Sequence, residues 1–114
     1  MEDIVSITDE QKGDMLVLRI KGRLDAVSSP AAEKKIFEYI NNGHHKLVMS
    51  FENVDYLSSA GMRMLLSTTK KLKTLYGKLV VCSITTNVMD VLKMSGFDHV
   101  LDIVPSEDEA MRKF

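Results

Sequence analysis

The sequence has little cysteine, proline or net charge, and each shortage excludes a class of protein. A single cysteine, Cys82, among 114 residues excludes an internal disulfide and fits a reducing compartment. Only two prolines, with 45% hydrophobic and 27% charged residues, exclude a disordered or low-complexity chain. A formal net charge of -1 gives no general attraction to a phosphate backbone, so we expect no direct nucleic-acid partner.

Long apolar segments are also missing from the sequence. No run approaches the roughly 18 to 20 residues that a membrane-spanning helix needs, so we expect no insertion into a membrane. The opening segment Met1-Glu2-Asp3-Ile4 is acidic where a secretory signal would be basic, and we therefore expect a cytoplasmic location. The length suits one hydrophobic core, which predicts a single domain over residues 1–114.

The sequence carries none of the common catalytic motifs. A P-loop, a dinucleotide-binding glycine motif, a His-Glu-x-x-His zinc motif and a Gly-x-Ser-x-Gly elbow are all absent. The adjacent His44 and His45 lack the spacing of metal ligands, and Cys82 lies in an apolar run that is typical of a buried strand. We predict no catalytic residue, no metal site and no cofactor.

Hydrophobic periodicity predicts a hairpin at the start of the chain. Apolar residues recur at every second position over residues 16–21, which predicts a strand with one buried face and places Val17 on the other side. Residues 4–8 predict a shorter strand beginning at Ile4. The polar turn between them predicts an antiparallel pair at the edge of a sheet.

Helices and strands alternate after the hairpin. Ser29 is predicted as an N-cap and Pro30 as the first turn of a helix that ends at Asn42-Gly43. This alternation predicts an α/β fold with a mixed central sheet, whose later strands are parallel, packed with about four helices. The later elements are predicted to be a buried central strand (47–51), a helix (59–76), a strand (78–84), a helix capped by Thr86 or Asn87, a last strand (100–104) and a final helix opening at 105–107.

The second predicted helix has a basic face and an apolar face. Arg63, Lys70 and Lys71 have two interpretations, as a surface that attracts an acidic partner or as an ordinary solvated helix face. The apolar face is predicted to consist of Met62, Leu65, Leu66, Thr69, Leu72 and Tyr76.

The loop before this helix is the predicted site. In α/β sheets, sites collect where the carboxyl end of a strand leads into a helix, because the helix N-terminus offers unpaired amides. Ser58 and Ser59 lie at this point, either as helix caps or as regulated hydroxyls. A phosphate here would meet a favourable helix dipole worth about 0.3 to 1 kcal/mol, so modification would change the surface without unfolding the helix.

Five segments at fixed spacing carry a family resemblance. They are Gly22-Arg23-Leu24-Asp25, Ser50-Phe51 with Val54, Leu57-Ser58-Ser59-Ala60-Gly61-Met62, Gly77-Lys78-Leu79, and Leu92 with Gly96-Phe97. On these residues, and over nearly its full length, the chain resembles a STAS domain of the bacterial anti-sigma factor antagonist family. The sequence departs from many members at Leu57, where they have aspartate, and at Ala60, which separates the serines from the glycine.

The resemblance implies a partner switch and not an enzyme. It implies an unphosphorylated antagonist that binds an anti-sigma factor with serine kinase activity, is released when phosphorylated, and is reset by a metal-dependent serine phosphatase. By analogy with members that read Ser-Ser-Ala-Gly, Ser59 is the predicted phosphate acceptor and Ser58 the second choice. The resemblance implies partner-binding roles for Asp25, Ser58, Ser59, Ala60, Gly61, Met62 and Arg63.

Other interpretations of the same residues remain open. A STAS subunit of a sensory or lipid-transport complex would keep the serine as a permanent helix cap. A small hydrolase or phosphocarrier would instead use Ser59 or a histidine, and would show turnover or an acid-labile phosphate. Asp25 either orients a hydroxyl or lines the docking face near the serine loop, or it is simply a turn residue after a strand.

Overall fold

The chain folds into a hairpin followed by alternating helices and strands. The computed structural model describes residues 5–114, so Ile4, the predicted start of the first strand, lies outside the described residues. A 3₁₀ turn at Phe97–His99 precedes the last strand. The strands and α-helices are β1 (Val5–Lys12), β2 (Met15–Leu24), α1 (Ser28–Asn41), β3 (Lys46–Leu57), α2 (Ser59–Thr74), β4 (Lys78–Cys82), α3 (Thr86–Ser95), β5 (Ile103–Val104) and α4 (Glu107–Met111).

The five strands form one mixed sheet in the order β1-β2-β3-β4-β5. β1 and β2 are antiparallel, and the three later neighbour pairs are parallel, which confirms the predicted fold class. β3 lies between β2 and β4, so its apolar residues from Leu47 to Phe51 are buried as predicted. β3 continues well beyond Phe51 because it stays paired with β2 as far as Leu57.

One face of the sheet carries the main hydrophobic core. Apolar residues of α1, α2 and α3 pack on this face, because each helix presents a stripe of buried side chains at helical spacing. Phe51 and Leu65 are among the side chains that are completely buried there. The core therefore fixes α1 and α2 next to each other over the same part of the sheet.

The opposite face of the sheet is covered by α4. The Arg19 guanidinium donates two hydrogen bonds of 2.9 Å to the Glu107 carboxylate at the start of α4, and this holds the pKa of Glu107 below its ordinary value. The pattern of the sequence placed Val17 on the solvent side, and this is wrong because α4 buries it. The small cluster on this face consists of Val17, Val48, Val80, Cys82 and Ala110.

The structure corrects the predicted buried face of α2. Tyr76 is completely exposed, because α2 ends at Thr74 and the chain turns at Tyr76 with a φ of 57°. Met64 and Thr68 are buried instead. Burial of Thr68 is tolerated because its hydroxyl donates to the Met64 carbonyl at 2.8 Å.

Two predicted helix caps also move by one or two residues. Val27 occupies the N-cap position of α1, and Ser29 is a buried residue within its first turn. In α3 the N-cap is Thr85, and Thr86 is the first helical residue. Asp25 fills the capping role at α1 from outside the helix, since its carboxylate accepts the first free amides.

β1 is the edge strand of the sheet. Ile7 is its one fully buried residue, and the neighbouring side chains from Thr8 to Gln11 are polar and exposed. Lys35 of α1 donates from its ammonium group to the Ile7 carbonyl at 3.2 Å. Within residues 5–114, none of the helices combines the length and apolar character needed to cross a bilayer.

Candidate functional site

The serine pair lies where two parallel strands end side by side. β2 and β3 run in the same direction, and their final residues Leu24 and Leu57 are partners in the register. The chain after Leu57 turns directly into α2 at Ser58. The end of β2 and the N-terminus of α2 are therefore brought together, as the position of the predicted site required.

Ser58 is held on both sides by hydrogen bonds. Its hydroxyl donates to the Leu24 carbonyl at 2.8 Å and accepts from the Gly61 amide at 3.3 Å. Its backbone amide donates to the same Leu24 carbonyl at 2.9 Å. Ser58 is thus the N-cap of α2, as one of the two interpretations of the serine pair expected. It also joins the helix to the end of β2.

Ser59 is the first residue of α2, and its environment differs from that of Ser58. It is exposed, and its hydroxyl takes part in none of the side-chain hydrogen bonds found within residues 5–114. Its own amide belongs to the first turn, where no intrahelical carbonyl is available as acceptor. An anion attached to the Ser59 hydroxyl would lie at the positive end of the α2 dipole.

Gly61 permits the close contact between α2 and β2. A Cβ atom at this position would lie 2.5 Å from Leu57 Cδ1, closer than packed atoms approach each other, and at a tight 3.0 Å from Leu24 Cβ. The residue is buried. Gly61 therefore sets the distance between the helix and the strand end and leaves the outer surface to its neighbours.

The remaining predicted partner-binding residues divide into exposed and half-buried ones. Arg63 is exposed on the first turns of α2, whereas Ala60 is half-buried. Met62 packs partly against the main core, and its sulfur accepts a hydrogen bond from the Ser95 hydroxyl at 3.2 Å. The outer surface of this helix end is thus formed mainly by Ser59 and Arg63.

Asp25 organises the turn that follows β2. Its Oδ1 accepts from the amides of Val27 and Ser28, each at 2.9 Å, and its own amide donates to the Ser28 hydroxyl at 3.0 Å. The Ser28 amide, followed by other hydrogen bonds, holds the pKa of the Asp25 carboxyl below its ordinary value. The structure gives Asp25 the role of a turn residue, placed directly after the Leu24 carbonyl that binds Ser58.

Two exposed apolar residues near this site were not identified from the sequence. Val27 is 78% exposed and Tyr56 is 41% exposed, and the Arg23 guanidinium lies 4.4 Å from the centre of the Tyr56 ring. Tyr56 was missed because the strand was predicted to end at Phe51. Polar residues interrupt the apolar run after Phe51, so the sequence gives no sign that the strand continues. Only the pairing with β2 reveals it.

The cysteine and the two adjacent histidines lie outside the serine loop. Cys82 is fully buried under α4, and burial raises the pKa of its thiol. Within the part of the chain that the structure describes, His, Cys, Asp and Glu side chains form no group of three or more that could hold a metal ion. His44 and His45 lie in the loop between α1 and β3.

Several proteins that are similar to this chain in sequence or in fold are named anti-sigma factor antagonists. A protein of Bordetella bronchiseptica, provisionally named anti-sigma factor antagonist BtrV, is 26% identical over 110 residues that cover 96% of this chain and 95% of its own. The crystal structure of an anti-sigma factor antagonist from Mycobacterium paratuberculosis superposes with a TM-score of 0.86 at 24% identity, covering 96% of this chain and 92% of that one.

SpoIIAA, a cell fate determinant of Bacillus, has the same fold. Its unphosphorylated form covers 95% of both chains with a TM-score of 0.78 at 21% identity, and a structure of its phosphorylated form is also known. The family model of the STAS domain matches residues 6–110 of the present sequence. Because the match spans nearly all of the chain, this protein belongs to the STAS domain family.

Proposed function

We propose that this chain is an anti-sigma factor antagonist that binds an anti-sigma factor with serine kinase activity while Ser59 is unmodified, and is released when Ser59 carries a phosphate. One observation carries the choice of acceptor. The Ser58 hydroxyl is engaged as both donor and acceptor, whereas the Ser59 hydroxyl is exposed at the first position of α2. A kinase can reach the second hydroxyl without breaking the cap of the helix.

The phosphate would act on the surface and leave the fold intact. A phosphoserine adds a charge of about −1.5 to −2 near neutral pH. At Ser59 this charge lies at the N-terminus of a helix, where a negative charge is favourable. The modification is therefore compatible with the folded domain, and its main effect falls on any protein surface that covers Ser59.

Loss of binding follows from the chemistry of that covered surface. A partner that docks over the end of α2 must remove water from a dianion or face it with its own groups, which costs a few kcal/mol unless the partner supplies cations. Val27 and Tyr56, exposed on the neighbouring loops and strand end, favour an apolar contact in the unmodified state. Each 1.4 kcal/mol lost reduces affinity about tenfold, so one phosphate is enough for a switch.

The covalent chemistry in this scheme belongs to the partners. A serine kinase adds the phosphate and a metal-dependent serine phosphatase removes it, while the antagonist, residues 1–114, acts as one cytoplasmic binding domain. It needs no cofactor, does not bind nucleic acid directly and does not insert into a membrane. Its output is the presence or absence of a complex with the anti-sigma factor.

Phosphate mapping tests the proposal. The purified chain is incubated with ATP and each anti-sigma factor kinase of its host, and the modified residue is located by tandem mass spectrometry. We expect one phosphate on the wild type, on Ser58→Ala and on Thr86→Ala, and none on Ser59→Ala. Thr86 is the matched control because it is also an exposed hydroxyl residue at the first position of a helix.

Two different results would contradict the choice of acceptor and the switch itself. A phosphate that is lost from a folded Ser58→Ala variant but retained by Ser59→Ala would move the acceptor to Ser58 and leave the switch in place. If no kinase modifies the chain, and wild type and Ser59→Asp bind every anti-sigma factor equally, the switch is wrong. The chain would then be a non-switching STAS subunit with a capped helix.

A further inference from the structure

A cavity of about 340 Å³ lies at the C-terminal end of α2, at the opposite end of that helix from Ser59. Lys73 of α2, Gly77 and Lys78 at the start of β4, and the segment before β5 form its wall. Its volume is in the range of small-molecule sites, about 300 to 1,000 Å³. Nothing in the proposed partner switch uses these residues.

The lining of the cavity is partly polar and partly apolar, and Leu79, Val100 and Leu101 form the apolar part. Leu79 and Leu101 line it and are nearly buried, and Val100 at its rim remains 53% exposed. Gly77 packs directly against His45, since a Cβ atom at Gly77 would lie 2.3 Å from the His45 carbonyl oxygen. A short hydrocarbon chain or ring would cover the apolar surface that these residues leave in contact with water.

The rim of the cavity is positively charged. Asp102 lines it and is shared by two ammonium groups, with Lys78 Nζ at 3.3 Å and Lys113 Nζ at 3.5 Å. Lys73 also lines the cavity and takes part in none of the ion pairs found within residues 5–114. Of the charged residues that line the cavity, Lys73 and Lys78 are cationic and Asp102 is anionic, which leaves one positive charge for an anion to neutralise.

The backbone at this end of α2 does not oppose an anion strongly. The exposed carbonyls of a helix C-terminus would repel negative charge, but the amide of Gly77 donates to the Leu72 carbonyl at 2.7 Å and the amide of Tyr76 to the Lys73 carbonyl at 3.2 Å. These bonds give partners to two carbonyls of the last turn of α2. The lysine ammonium groups are therefore the groups that an incoming anion meets.

We propose that this cavity is a binding site for a small organic anion, a carboxylate that carries a short apolar chain. The carboxylate pairs with Lys73 and Lys78 at the rim, and the chain packs on Leu79, Val100 and Leu101. Exposed ion pairs and a small apolar contact predict weak binding, with a dissociation constant in the millimolar range. The site does not depend on phosphorylation of Ser59.

Hexanoate is a suitable probe, and it is titrated into the ¹⁵N-labelled full chain while amide shifts are followed by NMR. Saturable shifts are expected at Gly77, Leu79, Leu101 and Asp102. Acetate, which lacks the chain, and hexanamide, which lacks the charge, should each bind at least about threefold more weakly, since each removes one of the two interactions.

Two surface variants test the assignment without disturbing the core. Lys73→Gln should weaken hexanoate binding about threefold, and Val100→Ser should weaken it as well. Lys34→Gln, which removes an exposed lysine on α1, should leave the affinity unchanged. Equal shifts with acetate and hexanoate, no saturable shift around the cavity, or equal effects of the Lys73 and Lys34 variants would each overturn the proposal.

Discussion

The entrances of α2 and α3 are built from similar residues but differ in their attachments. Each follows a parallel strand and begins with two hydroxyl residues, Ser58-Ser59 at α2 and Thr85-Thr86 at α3. The Ser58 side chain caps α2 and also bonds to the end of β2, whereas Thr85 makes no side-chain cap. The comparison shows that the first hydroxyl residue is tied to the sheet by its side chain at α2 but not at α3.

The first turn of each helix gives the largest expected effect. In α2 this turn contains Gly61, because a side chain there would meet Leu57 and Leu24. Gly61→Val should lower the free energy of unfolding by about 2 to 3 kcal/mol through overpacking, measured by urea denaturation. Asn87→Val, on the exposed first turn of α3, should change stability by less than about 0.7 kcal/mol. Similar losses for the two variants would contradict the close contact at Gly61.

Negative charge at the two helix entrances should have different effects on partner binding. Ser59→Asp is expected to weaken binding to the anti-sigma factor at least about tenfold, or 1.4 kcal/mol, because the charge lies on the proposed docking surface. Thr86→Asp places the same charge at an equivalent helix position and should change the affinity by less than about twofold. Isothermal titration calorimetry measures both. Equal weakening would show that charge at any helix entrance suffices, against a specific role for Ser59.

The two N-cap residues should differ in their contribution to stability. Ser58→Ala removes a cap and a hydrogen bond to the Leu24 carbonyl, so we expect it to reduce the free energy of unfolding by about 1 to 2 kcal/mol. Thr85→Ala removes no side-chain hydrogen bond and should cost about half of that or less. Thermal and urea unfolding give both values. A larger loss at Thr85 would contradict the difference between the two entrances.

Asp25 should make the turn between β2 and α1 slightly sensitive to acid. Its folded pKa is lowered, so its contribution to stability is present above its ordinary pKa and is lost as the pH falls through the lowered value. Asp25→Asn should therefore show a smaller fall of the urea midpoint on acidification than the wild type. Asp55→Asn, an exposed carboxylate on β3, is the control for the loss of one negative charge. An identical pH profile for Asp25→Asn and the wild type would contradict this role.

The sequence predicted the order of the elements, the mixed sheet and the position of the serine pair. These features follow from local signals in consecutive residues. The apolar residues of β2 recur at every second position, and a glycine follows the end of each of the first three helices. The different roles of Ser58 and Ser59 cannot be predicted from consecutive residues. They depend on the Leu24 carbonyl, 34 residues away in the chain, which only the folded sheet brings to the helix.

The errors have a common physical cause in long-range packing. Val17 is buried because α4, from the other end of the chain, covers its side of the sheet. Met64 and Thr68 replace Leu66 and Tyr76 as buried residues of α2, because the helix rotates to fit its neighbours and Thr68 satisfies its own hydroxyl. Composition alone does not report which neighbour an element will have.

The contact between Lys35 and the Ile7 carbonyl bears on how the protein behaves at high concentration. An open strand edge invites pairing with the edge of another molecule, and a cation placed beside it opposes such growth of the sheet. Here the lysine lies against the outermost strand, whose exposed positions are polar. This edge should therefore oppose ordered aggregation of the protein through its outermost strand at high concentration.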